Sequence, residues 1–242
     1  MISSLIDTHF HLDFYKTHKK IYTEINEMKQ YTLCMTNSPG VYLSCKRLYS
    51  ETKYLKFALG FHPLDSSLTK YDFNDFIKFA KNSKYIGEVG LDFKSANALK
   101  KEEQIYYFDR IVKLCAKDNK IFSVHIKGAE SKLIEILKKY KPSKCIIHWY
   151  SGSIEHMNEL ILLGCYFSVN SNMLQAKQAI QRISLIPSHR LLIESDGPFT
   201  RVNGVKYLPN LLFDVYVMVA TVRKEKKLIE QVFNNFKRIL LD

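Results

Sequence analysis

The chain has 242 residues and a mass of 28.3 kDa, with 46% hydrophobic and 25% charged residues, which argues against a disordered or fibrous protein and allows one large core. Lys+Arg 36 against Asp+Glu 24 leaves a net charge of +12, a balance that favours polyanionic partners and rapid electrostatic encounter. The cysteines (Cys34, Cys45, Cys115, Cys145 and Cys165) are odd in number and never form a C-x-x-C pair, so a disulfide framework or zinc ribbon is not expected and a reducing compartment is.

From the N-terminus, Met1 to Asp13 lacks a cationic segment followed by an unbroken apolar run, because Asp7, His9, His11 and Asp13 interrupt it; the expected location is the cytoplasm. Short β-branched or apolar runs then recur: Leu5–Thr8, Tyr31–Met35, Lys53–Leu59, Lys84–Glu88, Lys120–His125, Lys144–His148, Cys165–Asn170 and Arg190–Glu194. Helical patterns lie between them, among them Leu99–Lys117, Ser131–Tyr140, Ile154–Leu163 and Leu174–Ile183. Leu211–Ala220, about half the roughly 20 residues a bilayer demands, reads as a buried helix, and no membrane contact is expected. No repeat or linker divides the chain. Alternating strands and helices of this number predict an α/β fold, a single-domain (β/α)₈ TIM barrel over residues 1–242.

The polar residues follow the same plan. His9 and His11, Asn37, His62, Glu88 with Asp92, His125 with Lys127, His148, Asn170 and Asp196 fall at or just beyond strand C-termini, which in a barrel converge on one mouth. His9 and His11, two residues apart, share one face of an extended segment. A lone H-x-H pair carries little weight. Together with His125, His148, Glu88 and Asp196 it supplies more ligands than one tetrahedral ion needs, which implies two divalent cations (Mg²⁺, Mn²⁺ or Zn²⁺) sharing a carboxylate. Paired cations lower the pKa of water and neutralise charge on attacking and leaving oxygens, as phosphodiester hydrolysis requires. Glu88 lies in Gly87-Glu88-Val89-Gly90, where the glycines are expected to let the backbone turn after the strand.

Asp7-Thr8-His9-Phe10-His11-Leu12-Asp13, Gly60-Phe61-His62-Pro63, Gly87-Glu88-Val89-Gly90-Leu91-Asp92-Phe93, His148-Trp149-Tyr150-Ser151-Gly152-Ser153, Glu194-Ser195-Asp196-Gly197-Pro198-Phe199 and Asn234-Asn235-Phe236 together resemble the successive signatures of the TatD metal-dependent deoxyribonucleases. Thr36-Asn37-Ser38-Pro39-Gly40-Val41-Tyr42, with the segment His148–Ser153, also resembles the branch found in the Qat anti-phage defence system. The resemblance implies an amidohydrolase-type barrel that hydrolyses DNA, commonly as a 3′-to-5′ exonuclease on single strands, with other proteins of a defence operon as partners. It implies that His9, His11, Glu88 and Asp196 hold one cation and that Glu88, His125 and His148 hold a second. Asp196 would also take the proton of the attacking water, His62 would contact the phosphate, and Asp92 would orient a ligand. One departure stands out: the family usually follows the fifth-strand histidine with Ser-Arg-Asp, whereas here His125 precedes Ile126-Lys127-Gly128.

Lys94, Lys127, Lys177, Arg201 and Lys206 follow strand ends and are expected to line a path for phosphates. Phe61, Phe93, Trp149, Tyr150 and Phe199 are candidates for base stacking, about half of them expected in the core. His62, Lys127, Trp149 and Arg201 are the expected substrate contacts. Two other functions compete with the nuclease reading: another hydrolase of the same barrel superfamily, acting on a lactone, amide or phosphoester, and a metal-bound scaffold subunit of a defence complex.

Overall fold

The computed structural model describes residues 4–241; the first three residues of the N-terminal segment searched for a targeting signal lie outside them. The first half runs β1 (Ile6–Phe10), α1 (His18–Glu27), β2 (Tyr31–Cys34), α2 (Pro39–Leu48), β3 (Leu55–Phe57), β4 (Leu59–Phe61), α3 (Lys70–Ala80), β5 (Tyr85–Asp92) and α4 (Lys101–Cys115). The second half runs β6 (Ile121–Lys127), α5 (Glu130–Tyr140), β7 (Lys144–His148), α6 (Ile154–Leu162), β8 (Tyr166–Val169), α7 (Lys177–Leu185), β9 (Leu191–Ile193), β10 (Arg201–Val202), β11 (Val205–Lys206), α8 (Leu212–Arg223) and α9 (Leu228–Leu241). This is the expected α/β alternation. Among the described residues no helix is long and apolar enough to cross a membrane.

The chain separates into two compact units. The first takes residues up to Cys34, Glu51–Lys56 and those from Phe167 onward. In it β1 pairs in parallel with β2, and β8 with β9, and Phe10 bridges to Gly197. Tyr216 of α8 clasps β1, its hydroxyl accepting from Ile6 N (3.0 Å) and donating to Ile6 O (2.9 Å). The second unit takes Met35–Ser50 and Phe57–Tyr166. There β4, β5, β6 and β7 lie side by side in parallel, and β7 is buried along its whole length, as strands covered on both faces must be.

Local chemistry sets the element ends. Ser38 caps α2, accepting from Val41 N, with Pro39 in the first turn. Thr69 and Asp72 form a reciprocal capping box on α3. α4 buries Gln104, Tyr107, Phe108, Ile111, Val112 and Cys115, the i, i+3, i+4 stripe of a helix packed on a sheet.

Four expectations need correction. The run Lys53–Leu59 is two strands, because Thr36 Oγ1 donates to Ala58 O (2.8 Å) and accepts from Gly60 N (3.2 Å), taking both groups out of a continuous ladder. The helix expected over Leu174–Ile183 is a short 3-10 turn capped by Asn170, then α7, the two being separated by Ala176 in an extended conformation. α8 is not buried all round: Phe213 and Val217 face solvent while Leu212, Val215, Tyr216 and Val219 are inside.

The fourth concerns Glu88, which lies within β5 rather than at its end. Gly87 and Gly90 let neighbouring chain come close instead of turning the strand. A Cβ on Gly90, whose φ is +150°, would sit 1.9 Å from His125 O, and one on Gly87 would sit 2.6 Å from Met35 Sδ. The ladder shifts register between Ile86 and Val89, and Glu88 N donates to Thr36 O (3.0 Å) instead.

Candidate metal centres

In the first unit, β1 and the loop after β9 bring three side chains together. His9 Nε2 and His11 Nε2 are 3.1 Å apart, and Asp196 Oδ1 lies 3.7 Å from the former and 3.6 Å from the latter. All three residues are buried. The backbone fixes them: Asp196 N donates to His9 O and His11 N to Gly197 O, each at 2.8 Å.

Beneath this group lies a polar layer built on Asp7. Its carboxylate accepts from Ser195 N (2.9 Å), Ser195 Oγ (2.6 Å), His9 N (3.3 Å) and Tyr207 Oη (3.4 Å). Tyr15 in turn donates to Tyr207 O (2.9 Å). Burial pushes the Asp7 carboxyl up to about 7 against the opposing pull of the Ser195 hydrogen bonds. A second buried set ties β8 to β9, with Ser168 Oγ and Asn170 Nδ2 both donating to Glu194.

In the second unit a single oxygen is the focus. Glu88 Oε1 lies 2.8 Å from His62 Nε2, 2.9 Å from His125 Nδ1 and 2.9 Å from His148 Nε2. His62 Nδ1 accepts from Leu64 N (3.1 Å), which leaves its Nε2 as the N–H that faces Glu88. His125 Nε2 meets Asp92 Oδ2 at 3.0 Å.

Asp92 is itself pinned by Lys94 N, Ser95 N and Ser95 Oγ, while Gln104 clamps its backbone, accepting from Asp92 N (2.7 Å) and donating to Asp92 O (2.8 Å). Burial alone would raise the Asp92 carboxyl, but the hydrogen bonds from His125, Lys94 and Ser95 hold it below the usual carboxylate range. Burial would likewise lower His125, and Asp92 and Glu88 outweigh it, so the imidazole is raised.

Both groups suit a divalent cation. Two ring nitrogens 3.1 Å apart beside a carboxylate cannot both donate to each other, and a cation satisfies all three lone pairs at once. In the second unit His125 Nδ1 faces Glu88 Oε1 at 2.9 Å, the side from which a cation would neutralise that carboxylate. With its Nε2–H directed to Asp92, His125 presents Nδ1 as the ligand atom, a carboxylate–histidine arrangement that fixes the tautomer.

The other sequence candidates divide by exposure. Lys127 ends β6 and is exposed, Trp149 is half-buried with a φ of +41°, and Arg201 is exposed on β10, its Nη1 donating to Gly204 O (2.9 Å). Of the aromatics read as stacking candidates, Phe61 packs against Phe73, Phe76 and Tyr107, and Tyr150 is buried with its hydroxyl donating to Ser153 O; both are core. Phe93 lies beneath the Lys101 ammonium, and Phe199 is 49% exposed. Sequence reasoning did not single out Ser195, Tyr207 and Gln104 as supports, nor Phe14.

An α/β chain with buried His/carboxylate groups of this kind is built as a metal-dependent hydrolase, and relatives show which. The profile of the TatD related DNase family matches residues 6–241, so the chain belongs to that family. It is 26% identical over 254 residues to the uncharacterised metal-dependent hydrolase YcfH of Escherichia coli K12, covering 97% of this chain and 95% of that one. A shorter match, 30% identical over 119 residues, joins 48% of this chain to 38% of the deoxyribonuclease Tat-D of Schizosaccharomyces pombe.

Among solved structures, the TatD homologue YJJV of E. coli K12 superposes with a TM-score of 0.88 at 21% identity, over 99% of this chain and 98% of its own. A TatD-family hydrolase of Entamoeba histolytica gives 0.80 at 18% identity, over 99% and 98%. The fold is thus the TatD-type, TIM-barrel-like α/β fold.

Proposed function

We propose that this protein is a cytoplasmic metal-dependent nuclease that hydrolyses DNA phosphodiester bonds, working from the 3′ end of single strands with two divalent cations, Mg²⁺, Mn²⁺ or Zn²⁺. The observation that carries the reading is the pair of ligand groups, His9/His11/Asp196 and Glu88/His125/His148, in a chain of the TatD family. Each group would hold one cation.

When bound, the cations supply Lewis acidity, lowering the pKa of water and offsetting charge on the phosphate oxygens. The chain's own residues do the rest. Asp196 accepts the proton of the attacking water, a role its fixed carboxylate permits because Asp196 N is anchored to His9 O. His62, held at Nδ1 by Leu64 N with its Nε2–H facing Glu88 Oε1, contacts the phosphate beside that carboxylate. Asp92 keeps the His125 ring in one orientation. Lys127, Trp149 and Arg201 contact the strand, with Lys127 supplying charge but not the bidentate fork of an arginine.

The net charge of +12 supports a polyanionic substrate. The Qat-like segments support a role in anti-phage defence alongside other proteins of that system. The test is a time course on 3′- and 5′-labelled single- and double-stranded oligonucleotides with Mg²⁺, Mn²⁺ or EDTA. Metal-dependent laddering from the 3′ end of single strands is the expected result. Intact substrate in the presence of metal-loaded protein overturns the reading, and faster turnover of lactone, amide or phosphotriester substrates replaces it.

A further inference from the structure

Two large apolar side chains of the first unit stand in solvent beside His11. Phe14 ends the 3-10 turn Leu12–Phe14 that follows β1, and Phe199 lies in the loop after β9; they are 45% and 49% exposed. Their ring centroids are 4.9 Å apart at 67°, and each meets the His11 ring edge-on, at 5.6 Å for Phe14 and 5.3 Å for Phe199. The pair is held in place. Phe199 N donates to Asp196 O (2.8 Å), and His11 N is tied to Gly197 O. An exposed phenylalanine alone means little. Two in contact, each emerging from one of the segments that carry His9, His11 and Asp196, form a preformed aromatic corner at the candidate metal group, crossed at 67° so that a base laid on one ring meets the edge of the other.

A cationic element follows directly. β10 and β11 form a hairpin whose turn, Asn203-Gly204, has both residues at positive φ (+50° and +81°), the twist a two-residue hairpin favours. It sets Arg201 opposite Lys206, both exposed, and Asn172 and Ser171 anchor the Arg201 backbone. An aromatic face followed by paired cations is the chemistry that receives a single-stranded nucleic acid, stacking a base and holding its backbone without reading sequence.

We propose that the Phe14–Phe199 corner receives the nucleobase next to the bond being cleaved, stacked on the face of one ring and bounded by the edge of the other, with Arg201 and Lys206 holding a neighbouring phosphate. The inference rests on the nuclease reading and deepens it. A base must be unstacked from its neighbours to reach such a face, so the pair selects single-stranded or frayed ends over duplex, and purines over pyrimidines by their larger ring.

Two independent arms test it. Oligonucleotides carrying 2-aminopurine at each of the last few positions are mixed with protein in stopped flow, with Mg²⁺ and separately with EDTA. One position is expected to be quenched by the wild-type protein, with the quench lost in Phe199→Leu and Phe14→Leu, which keep apolar bulk without a flat face, and restored in Phe199→Tyr.

In the turnover arm, Phe199→Leu is expected to raise KM for a base-bearing end about tenfold, to leave kcat within about twofold, and to abolish the wild-type preference for a base-bearing over an abasic end. Absence of quenching at every position in both conditions, or a variant that keeps the preference, overturns the stacking face. Absence of cleavage by the wild-type protein overturns the nuclease reading, while the quenching arm still decides the face.

Discussion

Asp7 in the first unit and Asp92 in the second are both almost wholly buried, both accept several hydrogen bonds, and both support histidines of a candidate metal group. Their carboxyls nevertheless move in opposite directions, Asp7 up to about 7 and Asp92 below the ordinary range. The number of hydrogen bonds does not explain this, since Asp7 accepts from Ser195 N, Ser195 Oγ, His9 N and Tyr207 Oη. The balance of burial against partners does: at Asp7 burial outweighs the Ser195 and His9 bonds and Glu194 adds to the rise, whereas at Asp92 the bonds from His125, Lys94 and Ser95, with the His125 charge behind them, outweigh burial. A carboxylate that must orient a ligand can therefore be a permanent anion in one place and a half-titrated acid at neutral pH in another.

The largest expected effect comes from removing the focus of the second group. Glu88→Gln should bring turnover to the background measured with EDTA, and His9→Ala should do the same to the first group; a residual metal-dependent rate in either would show that the groups differ in need. Next, Asp92→Asn should weaken Mn²⁺ binding about 10- to 100-fold, as read by isothermal titration, with the His125 proton no longer held and fewer protons released on binding.

The opposite shifts give opposite pH dependences in the metal-free protein, followed as Tm against pH. Asp92 is depressed, so its contribution is full above the unfolded carboxyl value near 3.8 and is lost as pH falls through the folded value; Asp92→Asn should flatten the acid limb. Asp7 is raised, so the folded state carries a penalty that is absent below about 3.8, grows as pH rises, and is complete above about 7; Asp7→Asn should flatten the fall in stability over that window and leave the acid limb alone.

Smaller still, Ser195→Ala should cost about 1–3 kcal/mol by stripping a donor from buried Asp7. Exposed Lys127→Ala should leave Tm nearly unchanged and reduce the salt dependence of oligonucleotide binding by about one unit of slope.

What was legible in the sequence was local. His9 on β1 with His11 just beyond its end, and β7 ending on His148, follow from short-range pattern. The supports were not legible, because they join distant chain: Ser195 and Tyr207 reach Asp7 from 188 and 200 residues away. The placement of Glu88 inside β5 depended on a register shift that glycine spacing suggests only once the neighbouring strand is known. Phe14 illustrates the converse. Leu12 is in the core, and the 3-10 turn that carries both residues leaves Phe14 in solvent, a division that no short-range pattern signals.

The most direct measurement is anomalous diffraction from crystals grown with Mn²⁺ at neutral pH. A peak within bonding distance of His9, His11 and Asp196, and another within bonding distance of Glu88, His125 and His148, is the result expected. Crystals of folded protein with no manganese at either group would contradict the claim that these side chains are cation ligands.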